Sequence, residues 1–185
     1  MALTVHPLDS AREAAWDRFV EAMPTGTFFH RSGWAKVIQT AFGHSTHYIL
    51  TERDGAITGV LPLARVKTLL FGDTLISNPF CVYGGPLAAD VDSEAALTAH
   101  AEALLARTGA SALEFRDRMA ADPAPDWTGR PDLYVTFRKA IDGDDDRNMK
   151  AIPRKQRAMV RKGIKLGLRG VVENDVGRGI HLQRQ

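Results

Sequence analysis

Arg154, Arg157, Arg161 and Lys165 follow one another at steps of three, four and four, the spacing that lines side chains along one stripe of an α-helix. No Asp or Glu lies between Ala151 and Leu168, so no carboxylate sits a turn away to pair with them. Like charges at this spacing repel by roughly 0.2–0.5 kcal/mol per pair, and the stripe makes more sense with an anion nearby. An arginine guanidinium grips the oxygens of a phosphate through a planar fork of N–H donors. Three readings stay open: a solvated face balanced by acidic residues elsewhere, a nucleic-acid arm, and a phosphate-binding wall. No helix-turn-helix pattern or zinc-ligand spacing accompanies the stripe, and no strand carries the aromatics of an RNA-binding sheet. The phosphate wall is the sharper functional reading.

Other residues with chemistry to offer are scattered. Lys36 falls on a helix, away from its apolar side, where it can point into a cleft or simply into water. In N-P-F-C-V-Y-G-G-P-L, residues 78–87, Gly84 and Gly85 let backbone groups approach a ligand closely, or make a bulge or turn. Tyr83 beside them can orient a polar ligand or sit half-buried with a wet hydroxyl. Cys81 has no histidine or basic pair near it in sequence and reads as a spectator thiol. His30, His44 and His47 lack cysteines or carboxylates at metal-ligand offsets, so no metal site is expected. No G-x-S-x-G elbow, P-loop or dinucleotide fingerprint occurs. Nor does a strand-to-helix loop of the form Q/R-x-x-G-x-G/A: Arg107-Thr108-Gly109-Ala110 stands at a helix end.

The elements that must position these residues follow from periodicity. Leu3–His6 reads as a strand. Asp9 or Ser10 then caps a helix with Ala14, Ala15, Phe19, Val20 and Met23 on its apolar face, stopped at Pro24-Thr25-Gly26. A second helix runs from Ser32 to Phe42, with Trp34, Val37, Ile38 and Ala41 inward and Gly43 as its stop. Strands are expected over His47–Arg53 and Ala56–Val66, joined at Asp54-Gly55, and further strand or extended segments over Leu69–Ser77 and Cys81–Leu87. Asp92 or Ser93 caps a helix through Ala106. Ala112–Arg116 and Tyr134–Lys139 are strands, separated by a loop over Ala120–Pro131. An acidic turn, Asp142–Asp146, leads to the basic helix, where Pro153 suits the first turn. Leu168–Glu173 closes as a last strand, and the end is frayed. Helices alternating with strands and hairpins predict a mixed α/β sheet covered by helices.

Composition narrows the class. The chain has 185 residues, 44% of them hydrophobic and 25% charged, enough for one ordinary core. One cysteine excludes an internal disulfide framework and fits a reducing compartment. The N-terminus lacks a basic region followed by a long apolar stretch, and no apolar run is long enough to span a bilayer. The expected address is the cytoplasm. The net charge of +2 conceals a divide: residues 1–146 carry 13 Lys and Arg against 20 Asp and Glu, whereas residues 147–185 carry 11 against only Glu173 and Asp175. Such asymmetry suits an anionic partner or a basic tail folded on an acidic body.

Four segments occur in a familiar order: G-W-A-K-V at 33–37, G-G-P-L at 84–87, L-E-F-R at 113–116 and I-P-R-K-Q-R-A-M-V-R-K-G at 152–163. Together they resemble the first domain of FemAB/FemX-type transferases, and especially the FemAB-like proteins of bacterial exosortase/PEP-CTERM gene clusters. The resemblance covers about residues 3–175. It implies a GNAT-like fold, a mixed and mostly antiparallel sheet flanked by helices, as the first of two tandem domains. Residues 176–185 then form a departing tail, and the second domain is missing. Family members transfer an amino acid from aminoacyl-tRNA to a cell-wall precursor whose diphosphate is held by the first domain. Carried over by motif, Lys36, Arg154, Arg157 and Arg161 face a diphosphate, with Tyr83 and Gly84 on the acceptor side. The resemblance implies no cofactor bound by this domain, and acyl-CoA or aminoacyl-tRNA as the donor in a full-length protein. Its expected partners are a diphosphate-bearing acceptor and tRNA or acyl-CoA. Association with the inner-membrane surface and with further copies of the chain fits the same picture. The other readings are a non-catalytic module for nucleic acid or anionic lipid, and a truncated, inactive relative.

Overall fold

The computed structural model describes residues 2–68, 72–117, 125–131 and 133–169. The chain forms two compact units, Met1–Pro131 and Asp132–Gln185. In the first, the strands are β1 (Thr4–Pro7), β2 (Ser45–Arg53), β3 (Ala56–Thr68), β4 (Gly72–Ser77), β5 (Leu87–Ala88) and β6 (Ala112–Glu114). Their order across the sheet is β1-β2-β3-β4-β6, with β5 paired to β3. All pairs are antiparallel except β4 with β6. That parallel pair requires a crossover, which a helix supplies. The architecture is a mixed α/β one, with a mostly antiparallel sheet flanked by helices.

Alternation along the strands divides the core into two layers. Tyr48, Leu50 and Val60 face α1 (Glu13–Ala22) and α2 (Gly33–Phe42), where they pack with Trp16 and Val20. Ile49, Leu61, Leu63 and Leu75 face α3 (Val91–Thr108) and meet Leu97, Ala101 and Leu104. Burying a leucine of this kind contributes about 2 kcal/mol. Gly59 marks where α3 crosses most closely: a Cβ there would lie 2.7 Å from Thr51 Oγ1 and 3.0 Å from Leu97 Cδ1. The helix begins at Asp90, whose carboxylate accepts from Ser93 N, and not at Asp92 or Ser93 as the sequence suggests. It ends at Gly109 in left-handed geometry.

β3 changes partner partway along. Gly59 and Val60 pair with β5, and Leu63 to Thr68 pair with β4. Pro62, which has no N–H to offer, occupies the gap between the two. Its carbonyl accepts instead from Asn78 N at 2.7 Å, at the short end of the ordinary range. The fork between β4 and β5 is filled by the loop that joins them: of the strand or extended segment expected over Cys81–Leu87, only Leu87 enters a strand, and residues 81–86 form none. Two glycines and one proline leave that segment few ladder donors and little side-chain packing with which to extend the sheet.

In the second unit, α4 (Asp145–Ala151) starts at Asp144, whose carboxylate accepts from Asp146 N and Arg147 N. The acidic turn expected there is thus the first turn of a helix. Ile152 and Pro153 interrupt it, and α5 (Arg154–Lys165) follows. Gly167, in left-handed geometry, closes α5: Leu168 N donates to Gly163 O and Gly167 N to Ile164 O. No residue of α4 or α5 is buried. The expected strand Tyr134–Lys139 is absent, and its side chains stand exposed. Alternation gave it strand character, but no described residue hydrogen-bonds its neighbours into a ladder. The last expected strand and the tail lie mostly or wholly outside the described residues.

Candidate functional site

The loop from Asn78 to Pro86 is where the first unit concentrates unusual backbone and buried polar groups. Asn78 and Phe80 both have positive φ, 47° and 67°, and Gly84 has φ 152°. Left-handed geometry is costly for a bulky residue such as phenylalanine. The loop is held there by Asn78, which is fully buried. Its Oδ1 accepts from Tyr48 Oη at 2.9 Å, and its Nδ2 donates to Phe29 O. Burial drives the Tyr48 hydroxyl well above its ordinary titration range, so it stays a donor at any physiological pH.

A second anchor is His30, in the 3-10 turn Phe28–His30. Its Nε2 meets Gly85 O at 3.1 Å and its Nδ1 meets Thr27 Oγ1 at 2.8 Å. Because a carbonyl only accepts, Nε2 carries the proton and Nδ1 accepts from threonine. The His30 carbonyl receives Trp16 Nε1 at 2.7 Å. The sequence suggested no such role: the signal would have been contact between residues 55 positions apart. The third anchor is Arg116, just past β6. Its N donates to Ser77 Oγ at 2.8 Å, its Nη1 donates to Cys81 O at 3.0 Å, and its carbonyl receives both Gly84 N and Gly85 N at 3.1 Å.

Gly84 is buried, with space for no side chain: a Cβ would lie 2.5 Å from Asn78 Cβ. Gly85 has the Asp117 carboxylate against it, 1.7 Å from where its Cβ would be. Burial, and secondly the charge of Glu94, push the Asp117 carboxyl up to about 6. Tyr83 is half-buried and meets Phe29 edge-on at 6.1 Å. The Cys81 thiol is buried and pushed up to about 11 by that burial, partly opposed by Arg116, which keeps it a neutral thiol at pH 7. Lys36 is exposed on α2. Val37, expected inward, is exposed as well, because α2 turns Trp34, Ala35 and Ile38 to the sheet.

The second unit carries the basic stripe. Arg154, Arg161 and Lys165 are exposed on α5. Arg157 is engaged differently: its Nη2 donates to Lys150 O at 2.8 Å and to Ile152 O at 2.9 Å, and its Nε to Ile152 O at 3.2 Å. It therefore satisfies carbonyls at the end of α4. Among the described residues no carboxylate forms an ion pair with Arg154, Lys155, Arg161, Lys162 or Lys165. No group of three or more His, Cys, Asp or Glu among the described residues could hold a metal ion. No described helix is long and apolar enough to cross a membrane.

No family model and no curated protein matches the chain. Solved structures do. A crystal structure of FemX is 20% identical, with a TM-score of 0.43, over 60% of this chain and 25% of that one. A GNAT family acetyltransferase from Staphylococcus aureus is 11% identical with a TM-score of 0.42, over 78% of this chain and 99% of that one. An aminoglycoside 6'-N-acetyltransferase from Acinetobacter baumannii is 12% identical with a TM-score of 0.46, over 76% and 100%. The chain spans a quarter of the length of the FemX chain to which it is similar.

Proposed function

We propose that this chain is the substrate-binding half of an acyl or aminoacyl transferase acting on a phosphate-bearing cell-envelope or exopolysaccharide precursor. The observation that carries the reading is the state of α5: apart from Arg157, its cations are exposed, and none has a carboxylate partner among the described residues. Several arginines of the first unit are spent otherwise, as in the two-pronged contact of Arg65 with Asp73 at 2.6 Å. Arg154 and Arg161 offer open guanidinium forks for phosphate oxygens. On this reading Lys36 is a diphosphate-facing cation, and Tyr83 and Gly84 belong to the acceptor side, Gly84 by shaping the loop that carries Tyr83.

The reaction this reading implies is aminolysis. An amine on the acceptor attacks the ester or thioester carbonyl of the donor, the alcohol or thiol departs, and the amine gives up a proton. Acyl-CoA and aminoacyl-tRNA are the donor classes. Such a reaction depends chiefly on positioning and charge stabilisation, in keeping with a loop rich in anchored backbone and a thiol that remains neutral.

A second reading has its own observation. Met159, Ile164, Leu166 and Leu168 are each more than half exposed beside the lysines of the same helix, the composition of a helix that lies on an anionic membrane surface. One experiment separates the two and tests the nucleic-acid alternative. Binding of a UDP-sugar peptide, tRNA, duplex DNA and anionic vesicles is measured across a salt series. The transferase reading expects UDP-ligand binding that weakens by about tenfold or more in Arg154→Ala/Arg161→Ala. Strong, steeply salt-dependent DNA binding, or binding to vesicles alone, overturns it.

A further inference from the structure

Phe80 is the only phenylalanine among the described residues in left-handed backbone geometry, and its side chain remains 54% exposed. Packing does not account for that combination, since a strained residue normally gains burial for its ring. What the geometry achieves is alignment. The Phe80 ring lies face to face with Phe42, centroids 4.0 Å apart and planes 14° apart, and Phe42 is itself 46% exposed. The His44 imidazole is parallel to Phe80 within 8°, at 5.8 Å. Three rings from two segments thus share one orientation at the surface.

The alignment is fixed from below. Asn78 is clamped by Tyr48, Phe29 and Pro62, Pro79 is fully buried, and Cys81 N returns to Asn78 O at 3.3 Å. Phe42 stands at the C-terminal end of α2, where Gly43 turns the chain in left-handed geometry and brings His44 round. Strain held in place by a rigid surround is a mark of ligand sites, and an exposed aromatic face takes a flat partner ring by stacking.

We infer that the Phe42–Phe80–His44 stack is a binding platform for a planar heteroaromatic ring of nucleobase type. Parallel rings favour a flat ligand over a branched aliphatic one, and the imidazole nitrogens at the rim add hydrogen-bond capacity suited to a heterocycle. Val82, 56% exposed in the same loop, supplies further apolar surface. The inference concerns ring stacking on the first unit and requires no phosphate contact from α5.

The test is a titration followed by aromatic-region NMR of Phe42, His44 and Phe80. Adenosine 5'-monophosphate and uridine 5'-monophosphate serve as probes, with ribose 5-phosphate as the ringless control. Expected are saturable upfield ring-current shifts at all three residues with the nucleotides and none with the control. Phe80→Gly removes the ring while suiting the backbone, since glycine adopts positive φ freely. It is expected to keep the Tm or raise it and to weaken nucleotide binding by about tenfold or more, the size of one stacking contact. Phe42→Ala checks the result from the other segment, with the same loss expected. Absence of shifts up to about 10 mM nucleotide, a concentration at which a weak millimolar site would fill, overturns the inference. So do equal shifts with ribose 5-phosphate, or undiminished binding in Phe80→Gly.

Discussion

Asp117 lies against the backbone of Gly85 with its carboxyl pKa pushed up to about 6 by burial and, secondly, by the charge of Glu94. A folded-state pKa above the unfolded value means that the native protein binds the proton more tightly. The stabilising contribution is complete below about pH 4 and is lost as pH rises through 6. Asp117→Asn is therefore expected to raise the Tm at pH 7 and to leave it unchanged near pH 4. Part of the carboxylate is open to water, which limits the gain to about 1 kcal/mol. Thermal unfolding at pH 4, 5, 6, 7 and 8 checks this, and a gain that is equal at all five values would refute it. Nothing in the sequence marked Asp117. Its setting depends on a loop 32 positions earlier, whereas Arg154 and Arg161 were legible because their spacing is local. Gly84 was legible as special, but for a different cause: the space that excludes its side chain is filled by Asn78.

Among the elements, those with strong local signals form as expected. β2 and β3 join at Asp54-Gly55, where Asp54 has φ 56° and Gly55 φ 78°. α2 ends at Gly43, and α5 falls where the three-and-four spacing put it. Elements whose existence depends on a neighbour do not follow from sequence. Residues 81–86 carry strand-forming Val82 and Tyr83 yet make a loop, because β3 has already given that edge to β4 and β5. Alternation in Tyr134–Lys139 is equally real and finds no described ladder partner. α4 was hidden because its capping aspartates look like a charged turn. Its far end depends on Arg157, whose three contacts with the carbonyls of Lys150 and Ile152 tie the α4–α5 junction. Arg157→Ala is expected to fray the last turn of α4, at a local cost of about 1 kcal/mol. Backbone chemical shifts of Asn148–Ile152 would move toward coil values. Arg154→Ala, which removes a charge but no such contact, should leave them in place.

For the molecule as a whole, the two units differ in what holds them. The first has two buried layers about one sheet, while α4 and α5 bury no residue. Local stability follows buried contact, not helix content. Amide hydrogens of α5 are accordingly expected to exchange at least about a hundredfold faster than those of β3 and α3, as read by mass spectrometry. Equal protection in α5 and β3 would contradict the expectation. The anion-binding proposal adds a condition, since a ligand that binds the ordered helix slows its exchange in proportion to occupancy.

Pro62 gives the sheet a consequence that reaches beyond its own position. A ladder zips as far as each residue can offer a bond, and β3 withholds one at the place where its two neighbours would otherwise meet. The proline works as a zipper stop. It keeps β4 and β5 from merging into a continuous edge. The outward residues of the loop are thereby released from the demands of the sheet, so exposed Phe80 and Val82 can be exchanged while the strands on either side keep their register.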